Sequence, residues 1–554
     1  KEGAKPIKAD IKRIEKAKSE DITGILGWMH SISSAFIGVG LMSELKNSDI
    51  NILYWGHGGV GLGDRVFYLN DDAPTLIIRE AYKQFIVKLL MLSGYKKADA
   101  ERMRDNVMGI EMELAKVAMT RTEQRDYMAQ YNIRTLAEVE KLCPNIDWKQ
   151  YLTAQYLPIV DSMCVMQLKS LEKVNELIAN KSMREIKDYL IFHLVNSASD
   201  YLGDNFRKVN FEMSSTISGA EQDRPRWKRA LSVPDGMLGE ALGQIYVKKY
   251  FPEESKQRML ELVGNLKTSL GEHIQNLAWM SDATKSKAME KLSAFTVKVG
   301  YPDTWKDYSG IIIDPKKSYW ENVKSASIFH VKDSNEKCGK PVDKAEWGMT
   351  PQTVNAYYNP STNEICFPAG ILQAPFFSPD ALDCDNYGAI GVVIGHEMTH
   401  GFDDNGRQFD KDGNMEDWWT KDDAEMFDSL ANKLKAQFDK IVVIDSLHAN
   451  GKLTLGENIA DQGGLRVAYT AYLKTKEAKE NKVVDGFTPA QRFFLSYANV
   501  WADNIRPEEI RRRTTTDPHS LGRWRVNATL KTIDAFYEAF GIKEGDPMYI
   551  APAD

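Results

Sequence analysis

The stretch Gly391-Val392-Val393-Ile394-Gly395-His396-Glu397-Met398-Thr399-His400 sets His-Glu-x-x-His behind an apolar run. On an α-helix, residues i and i+4 share a face, so His396 and His400 point the same way, one turn apart. Two imidazoles at that spacing can hold one zinc ion. Glu397 flanks the metal and is placed to take a proton from a zinc-bound water. Ile390, Val392, Val393 and Ile394 predict that this helix is buried, and a buried helix holds its donors rigidly. The competing reading is a chance match on a surface helix. Histidine is scarce, 9 in 554 residues. Two of them flanking a glutamate on an apolar helix are not explained by packing.

A hydrolytic zinc site needs a third protein donor and leaves the fourth position to water. Downstream lies Leu455-Gly456-Glu457-Asn458-Ile459-Ala460-Asp461-Gln462-Gly463-Gly464, where Glu457 and Asp461 are again i and i+4. One carboxylate can bind the metal and the other can accept the free ring N–H of a ligand histidine. A solvated acidic face is the plain alternative. Gly456, Gly463 and Gly464 argue against it, because they suggest close backbone approach.

These motifs resemble the neprilysin and endothelin-converting-enzyme family of zinc metallopeptidases. The likeness is carried by residues 395–406, 456–464, Val354-Asn355-Ala356-Tyr357-Tyr358, Phe367 to Gln373, and Asp517-Pro518-His519-Ser520-x-Gly522-x-x-Arg525-Val526-Asn527. It runs from about residue 70 to the C-terminus. It implies a mainly α protein: a thermolysin-like α+β catalytic domain with a large all-helical second domain closing over the active site. The expected division is 1–154 for the first part of the helical lid, 155–215 for helices packing on the catalytic domain, 216–311 for the rest of the lid, and 312–554 for the catalytic domain.

The resemblance implies one Zn2+ per chain on His396, His400 and Glu457, with Glu397, His519 and Asp461 as the catalytic set. His519 matches the family's transition-state-stabilising histidine. Arg525 matches the arginine that holds the substrate carbonyl beyond the cleaved bond. Asn355 and Ala356 match the substrate-pairing strand; Phe376, Val393 and Trp501 match the apolar pocket after the cut. The expected activity is hydrolysis of oligopeptides on the amino side of hydrophobic residues, by a zinc-bound water with Glu397 as general base. Asp403 or Asp404 is expected to orient His400 if neither is simply a solvated loop acid. Family members have further residues before this start, so the chain reads as a fragment or processed form that has lost any signal or anchor. The resemblance also implies an extracytoplasmic bacterial protein and a monomer. A zinc-retaining peptide-binding protein with little catalysis is the second hypothesis. A structural zinc is the third, and it would need four protein ligands.

Composition agrees with an enzyme of more than one domain. The 554 residues are too many for one core. A net charge of −7 leaves no electrostatic footprint for nucleic acid. No apolar run reaches the length of a membrane span; residues 25–42 come nearest and are broken by His30, serines and glycines. Five cysteines, none in C-x-x-C spacing, make no disulfide framework, and Cys366 is expected as a packed thiol. The glycines of 56–63 lack the Gly-Lys-Ser/Thr of a phosphate loop, and the acids of 403–413 lack the spacing of a calcium loop.

The elements that must position the site follow from periodicity. Helical spacing covers 8–46, 79–125, 157–212, 238–277 and 283–295, with a strand or tight loop at 53–63. Met103, Val107, Ile110 and Leu114 form a core stripe, and His193 is expected as a satisfied core histidine. After about 310 a short strand at 363–368 precedes the His396 helix, a loop, a helix over 422–440, the Glu457 helix and a helix ending near Trp501.

Overall fold

Met103, Val107, Ile110 and Leu114 lie buried on one face of the helix Lys97–Val117. Against that face pack the helices Ala73–Leu92 and Met183–Ala198, each opened by a side-chain cap, Asp72 and Ser182. His193 is buried among them, with Nε2 at 2.9 Å from Glu111 Oε1. The same carboxylate accepts from Tyr68 and Tyr82 at 2.7 and 3.0 Å, so a buried charge is satisfied by its neighbours.

The computed structural model describes residues 3–551, which form two compact units. The first comprises the described residues up to Glu44, with Asp49–Met237 and Asp307–Val342. The second comprises Leu45–Ser48, Leu238–Lys306 and the described residues from Asp343 on. These boundaries depart from the sequence division. Residues 155–215 belong to the first unit, 238–306 to the second, and 312–342 to the first. The reason is pairing at long range. The helix Glu253–Gln275 buries Met259, Leu266 and Leu270 in the core that also holds Ile394, Met398 and Leu465, and Ser269 Oγ donates to Val467 O at 2.9 Å. In the first unit, Trp320 Nε1 donates to Asp10 Oδ2 at 2.9 Å, which ties the helix Tyr319–Asn335 to the start of the chain.

The first unit is mostly helical but not all-helical. It carries a four-stranded sheet of order β1-β2-β4-β3, formed by β1 (Ile37–Glu44), β2 (Asn47–His57), β3 (Ile133–Thr135) and β4 (Ser162–Val165). The helical spacing read over 8–46 therefore holds only for Lys8–Lys16 and Ile22–Met29. Beyond them Ile37, Val39 and Leu41 alternate with glycines, a period of two that suits a strand and a composition that disfavours helix. Residues 162–165 form a short strand because β2 and β3 lie on either side to receive it.

In the second unit, β5 (Thr296–Gly300) runs parallel to β7 (Glu364–Pro368), and β6 (Tyr357–Asn359) runs antiparallel to β7 as an edge strand. Every residue of β7 is buried, and burial pushes the Cys366 thiol up to about 12. All five cysteines are buried.

Asp423 joins two helix starts in this unit. It accepts from Ser281 N, Ser281 Oγ, Thr284 Oγ1 and Thr420 Oγ1 at 2.9, 2.5, 2.5 and 2.6 Å. Burial would raise this carboxyl, but the donors outweigh it and hold it far below the usual carboxylate range. Asp423→Ala leaves those donors without an acceptor and is expected to cost about 3 kcal/mol at pH 7. Because the folded-state value is depressed, the contribution is present above the unfolded value of about 4 and is lost as pH falls through the folded one. Thermal midpoints of both proteins at pH 7 and pH 3 check this: the gap must be wide at pH 7 and narrower in acid.

Candidate active site

The helix Val392–His400 continues a π turn over Tyr387–Gly391, and all but its last residue are buried. It crosses the helix Leu455–Tyr472 with almost no side chain between them. A Cβ on Gly464 would lie 2.6 Å from His396 N and 2.7 Å from Val392 O, and one on Gly463 would lie 2.5 Å from Thr399 Cγ2. This contact sets Glu457 and Asp461 against the histidine face. Gly464→Ala pushes a methyl group against the His396 and Val392 backbone, so it is expected to destabilise the unit by about 1–3 kcal/mol and to weaken zinc binding. Chelator competition and a thermal scan measure both effects.

The donor atoms converge. His396 Nε2 lies 3.0 Å from His400 Nε2, and Glu457 Oε2 lies 3.2 and 3.5 Å from the two nitrogens. Each outer ring nitrogen is held by a carboxylate: His396 Nδ1 by Asp461 Oδ1 at 2.8 Å and His400 Nδ1 by Asp403 Oδ2 at 2.7 Å. Those contacts place the ring protons at Nδ1 and turn the Nε2 lone pairs toward each other. Glu457 Oε2 is buried and makes no hydrogen bond among the described residues. Two lone pairs and a carboxylate oxygen at such distances repel unless a cation lies between them. Tetrahedral bonds of about 2.0–2.1 Å place neighbouring donors about 3.3 Å apart. The three atoms fit zinc.

Glu397 is buried beside this triangle, its carboxylate within 4.8 Å of the histidine donor atoms. Burial alone would raise the Glu457 carboxyl; protonated forms of His400, His396 and His519 would outweigh it and hold it well below the usual range. Burial likewise works to raise Asp461, and the Arg525 guanidinium and the His396 hydrogen bond hold it down. Arg525 donates from Nε and Nη2 to the two Asp461 oxygens at 2.8 and 2.6 Å, and its other flank lies 3.7 Å over the Trp501 ring. His519 turns Nδ1 to Asp517 at 2.8 Å and Nε2 toward Glu457 Oε2 at 3.4 Å.

One cavity of about 340 Å3 is lined by Asn355, Ala356, Phe376, Val393, His396, Glu397, His400, Glu457, Asp461, Trp501, His519 and Arg525; Asp403 and Asp404 do not line it. Ile371, Val392 and Val500 extend its apolar wall. It is Asp403, not Asp404, that meets His400. Sequence reasoning missed Asn458 and Ser520. Ser520 Oγ donates to Asn458 Oδ1 at 2.8 Å, and Asn458 Nδ2 donates to Thr454 Oγ1 at 2.9 Å, which ties the His519 loop to the Glu457 helix. Both lay inside motifs already noted, but nothing in either motif says that the two meet. Tyr497, which donates to Arg525 O at 2.8 Å, was likewise unmarked.

A buried His-Glu-x-x-His helix, crossed by a helix that supplies a third donor and facing an apolar cavity, defines a metallopeptidase. Two models of peptidase family M13 match the chain, the amino-terminal one over residues 1–302 and the other over residues 355–554. Endothelin-converting enzyme 1 of Mus musculus is 34% identical over 541 residues, covering 94% of this chain and 69% of its own length. Neprilysin-11 of Caenorhabditis elegans is 32% identical over 539 residues, covering 93% of this chain and 64% of its own length. The zinc metalloprotease Zmp1 of Mycobacterium tuberculosis, solved with an inhibitor, superposes with a TM-score of 0.95 at 35% identity, over 100% of this chain and 85% of that one. PepO of Lactobacillus rhamnosis HN001 does so at 0.91 and 26% identity, over 100% and 86%. The chain belongs to peptidase family M13, zinc metalloendopeptidases that include endothelin-converting enzyme and neprilysin. Among the described residues no helix is long and apolar enough to cross a membrane.

Proposed function

We propose that this zinc endopeptidase hydrolyses oligopeptides on the amino side of hydrophobic residues, with one zinc per chain held by His396, His400 and Glu457. The observation that carries the reading is the meeting of three donor atoms, the Glu397 carboxylate and an apolar wall at one cavity. Zinc held by these three residues would supply Lewis acidity toward a water and a carbonyl. Glu397 takes the water's proton and returns it to the leaving amine. His519, held at Nδ1 by Asp517, turns Nε2 to the developing oxyanion, where it is a donor when both ring nitrogens carry a proton. Asp461 holds His396 and Arg525 in place, and Arg525 presents its remaining N–H groups to the substrate carbonyl. Asn355 and Ala356 precede the edge strand β6, so their backbone is placed to pair with an extended peptide as an added strand. Phe376, Val393 and Trp501 receive the side chain after the cut. An extracytoplasmic location belongs to the same proposal.

The test is an internally quenched peptide with a central Phe, its cleavage site read by mass spectrometry, beside the same peptide with Asp at that position. Cleavage before Phe, much reduced with Asp, supports the reading. Equal cleavage of both removes the apolar-pocket assignment. No cleavage by a zinc-loaded chain removes the peptidase reading of this form.

A further inference from the structure

Lys291, in the helix Asp282–Ser293, is 1% exposed and, among the described residues, has no carboxylate within ion-pair distance. An ammonium carries three donors. Here they go to three backbone carbonyls, Gly401 O, Gly406 O and Phe409 O, at 2.8, 2.7 and 2.7 Å. The rings of Tyr358, Phe402 and Trp418 surround it at 5.8, 5.7 and 5.9 Å. Burying an ammonium away from water is costly; the Asp403 and Asp410 carboxylates attract it at longer range, and the three bonds offset the cost.

What they hold is the turn that leaves the histidine helix. Gly401 follows His400 directly, and its carbonyl belongs to the helix end, where a cation also faces the negative pole of the helix dipole. Gly406 connects Lys291 to the site through a single residue, by its two flanking peptide groups. Its carbonyl accepts from Lys291, and its N–H donates to Asp403 Oδ1 at 2.6 Å. Asp403 Oδ2 in turn faces His400 Nδ1 at 2.7 Å. The turn is wrapped closely on the helix: a Cβ on Gly406 would fall 1.7 Å from His400 O. We propose that Lys291 is a positioning residue for the peptidase reaction, acting through Gly406 and Asp403 to hold the His400 ring in its metal-binding orientation. Without it, Gly401 O loses its donor, while Gly406 O and Phe409 O keep only Phe409 N–H and Trp418 Nε1–H at 3.1 and 2.9 Å. The 401–409 turn then loosens, and Asp403, left with the Asn405 and Gly406 N–H groups of that turn, meets His400 less firmly.

This rests on the reading of His400 as a metal donor, and the experiment separates the two. Zinc affinity is measured by chelator competition for the wild-type chain, Lys291→Met, Asp403→Asn, the double variant, Lys298→Met and His400→Ala. Lys298 is the control: it is also a buried lysine of this unit, bonded to Glu364 at 2.9 Å, and it makes no contact with the 401–409 turn. Expected is a roughly 10–100-fold loss of zinc affinity for Lys291→Met, as for partners of metal ligands generally. The double variant should be no weaker than about the Asp403→Asn single, because both act on one contact. Additive losses, or a Lys291→Met loss no larger than that of Lys298→Met, overturn the positioning role while leaving the site intact. Unchanged zinc binding in His400→Ala overturns the site reading and this proposal with it. If Lys291→Met does not fold, Lys291→Gln, which keeps two donors on a shorter stem, takes its place and is expected to lose less affinity.

Discussion

Glu397→Gln is expected to lower kcat/KM by roughly 10²–10⁴-fold while the chain still takes up zinc as the wild type does. The substitution keeps the side chain's size and leaves His396, His400 and Glu457 untouched, so the donor triangle at 3.0, 3.2 and 3.5 Å persists. An amide cannot accept the water's proton, nor return one to the leaving amine. The loss should fall on kcat rather than KM if Glu397 acts, as proposed, in a proton transfer and not in binding the substrate side chain. Initial rates and zinc content of both chains, measured together, decide the role. A rate within tenfold of wild type removes Glu397 as the base. Lost zinc would instead make it a ligand, an assignment its place within 4.8 Å of both histidine donors makes worth checking.

Asp461→Asn is the second large effect, and it acts on stability and metal together. Asp461 is 1% exposed and carries a two-point contact to the buried Arg525 as well as the hydrogen bond at His396 Nδ1. The amide is neutral and turns an N–H toward donors. Arg525 is then a buried cation without its partner, a loss that typically costs about 3–5 kcal/mol. His396 loses the contact that sets its tautomer, which weakens zinc by roughly 10–100-fold. The depressed Asp461 carboxyl stabilises the fold above the unfolded value of about 4, and that contribution fades as pH falls through its lower folded value. The gap between variant and wild type should therefore be full at pH 7. Arg525→Met in the variant background should recover part of the lost thermal midpoint but not the zinc affinity. Recovery of both would mean that His396 does not depend on Asp461.

Motifs read most reliably where chemistry is local. His396 and His400 share a face because five consecutive helical residues make them do so, and Gly463 and Gly464 announced a close helix crossing because they carry no side chain. Elements whose form depends on distant partners were misread. β4 is a strand because β2 and β3 receive it, and Ile37–Glu44 pairs in a sheet although a helical period can be drawn through it. The unit boundaries were misplaced for a similar reason: the helix Glu253–Gln275 has an apolar face that says it is buried but not against what.

By itself the sequence determined the local part of the site: a histidine pair on one helical face, a flanking glutamate, and two carboxylates one turn apart. Periodicity and residue type suffice for these, since each is set within one or two helical turns. Only the tertiary structure decided which carboxylate faces which nitrogen, with Glu457 on both Nε2 atoms and Asp461 behind His396. It also decided that Asp403 rather than Asp404 meets His400, that Ser520 and Asn458 join two motifs 62 residues apart, and that Lys291 reaches a turn more than 100 residues downstream. Those pairings depend on which buried surfaces meet, and no local spacing encodes that.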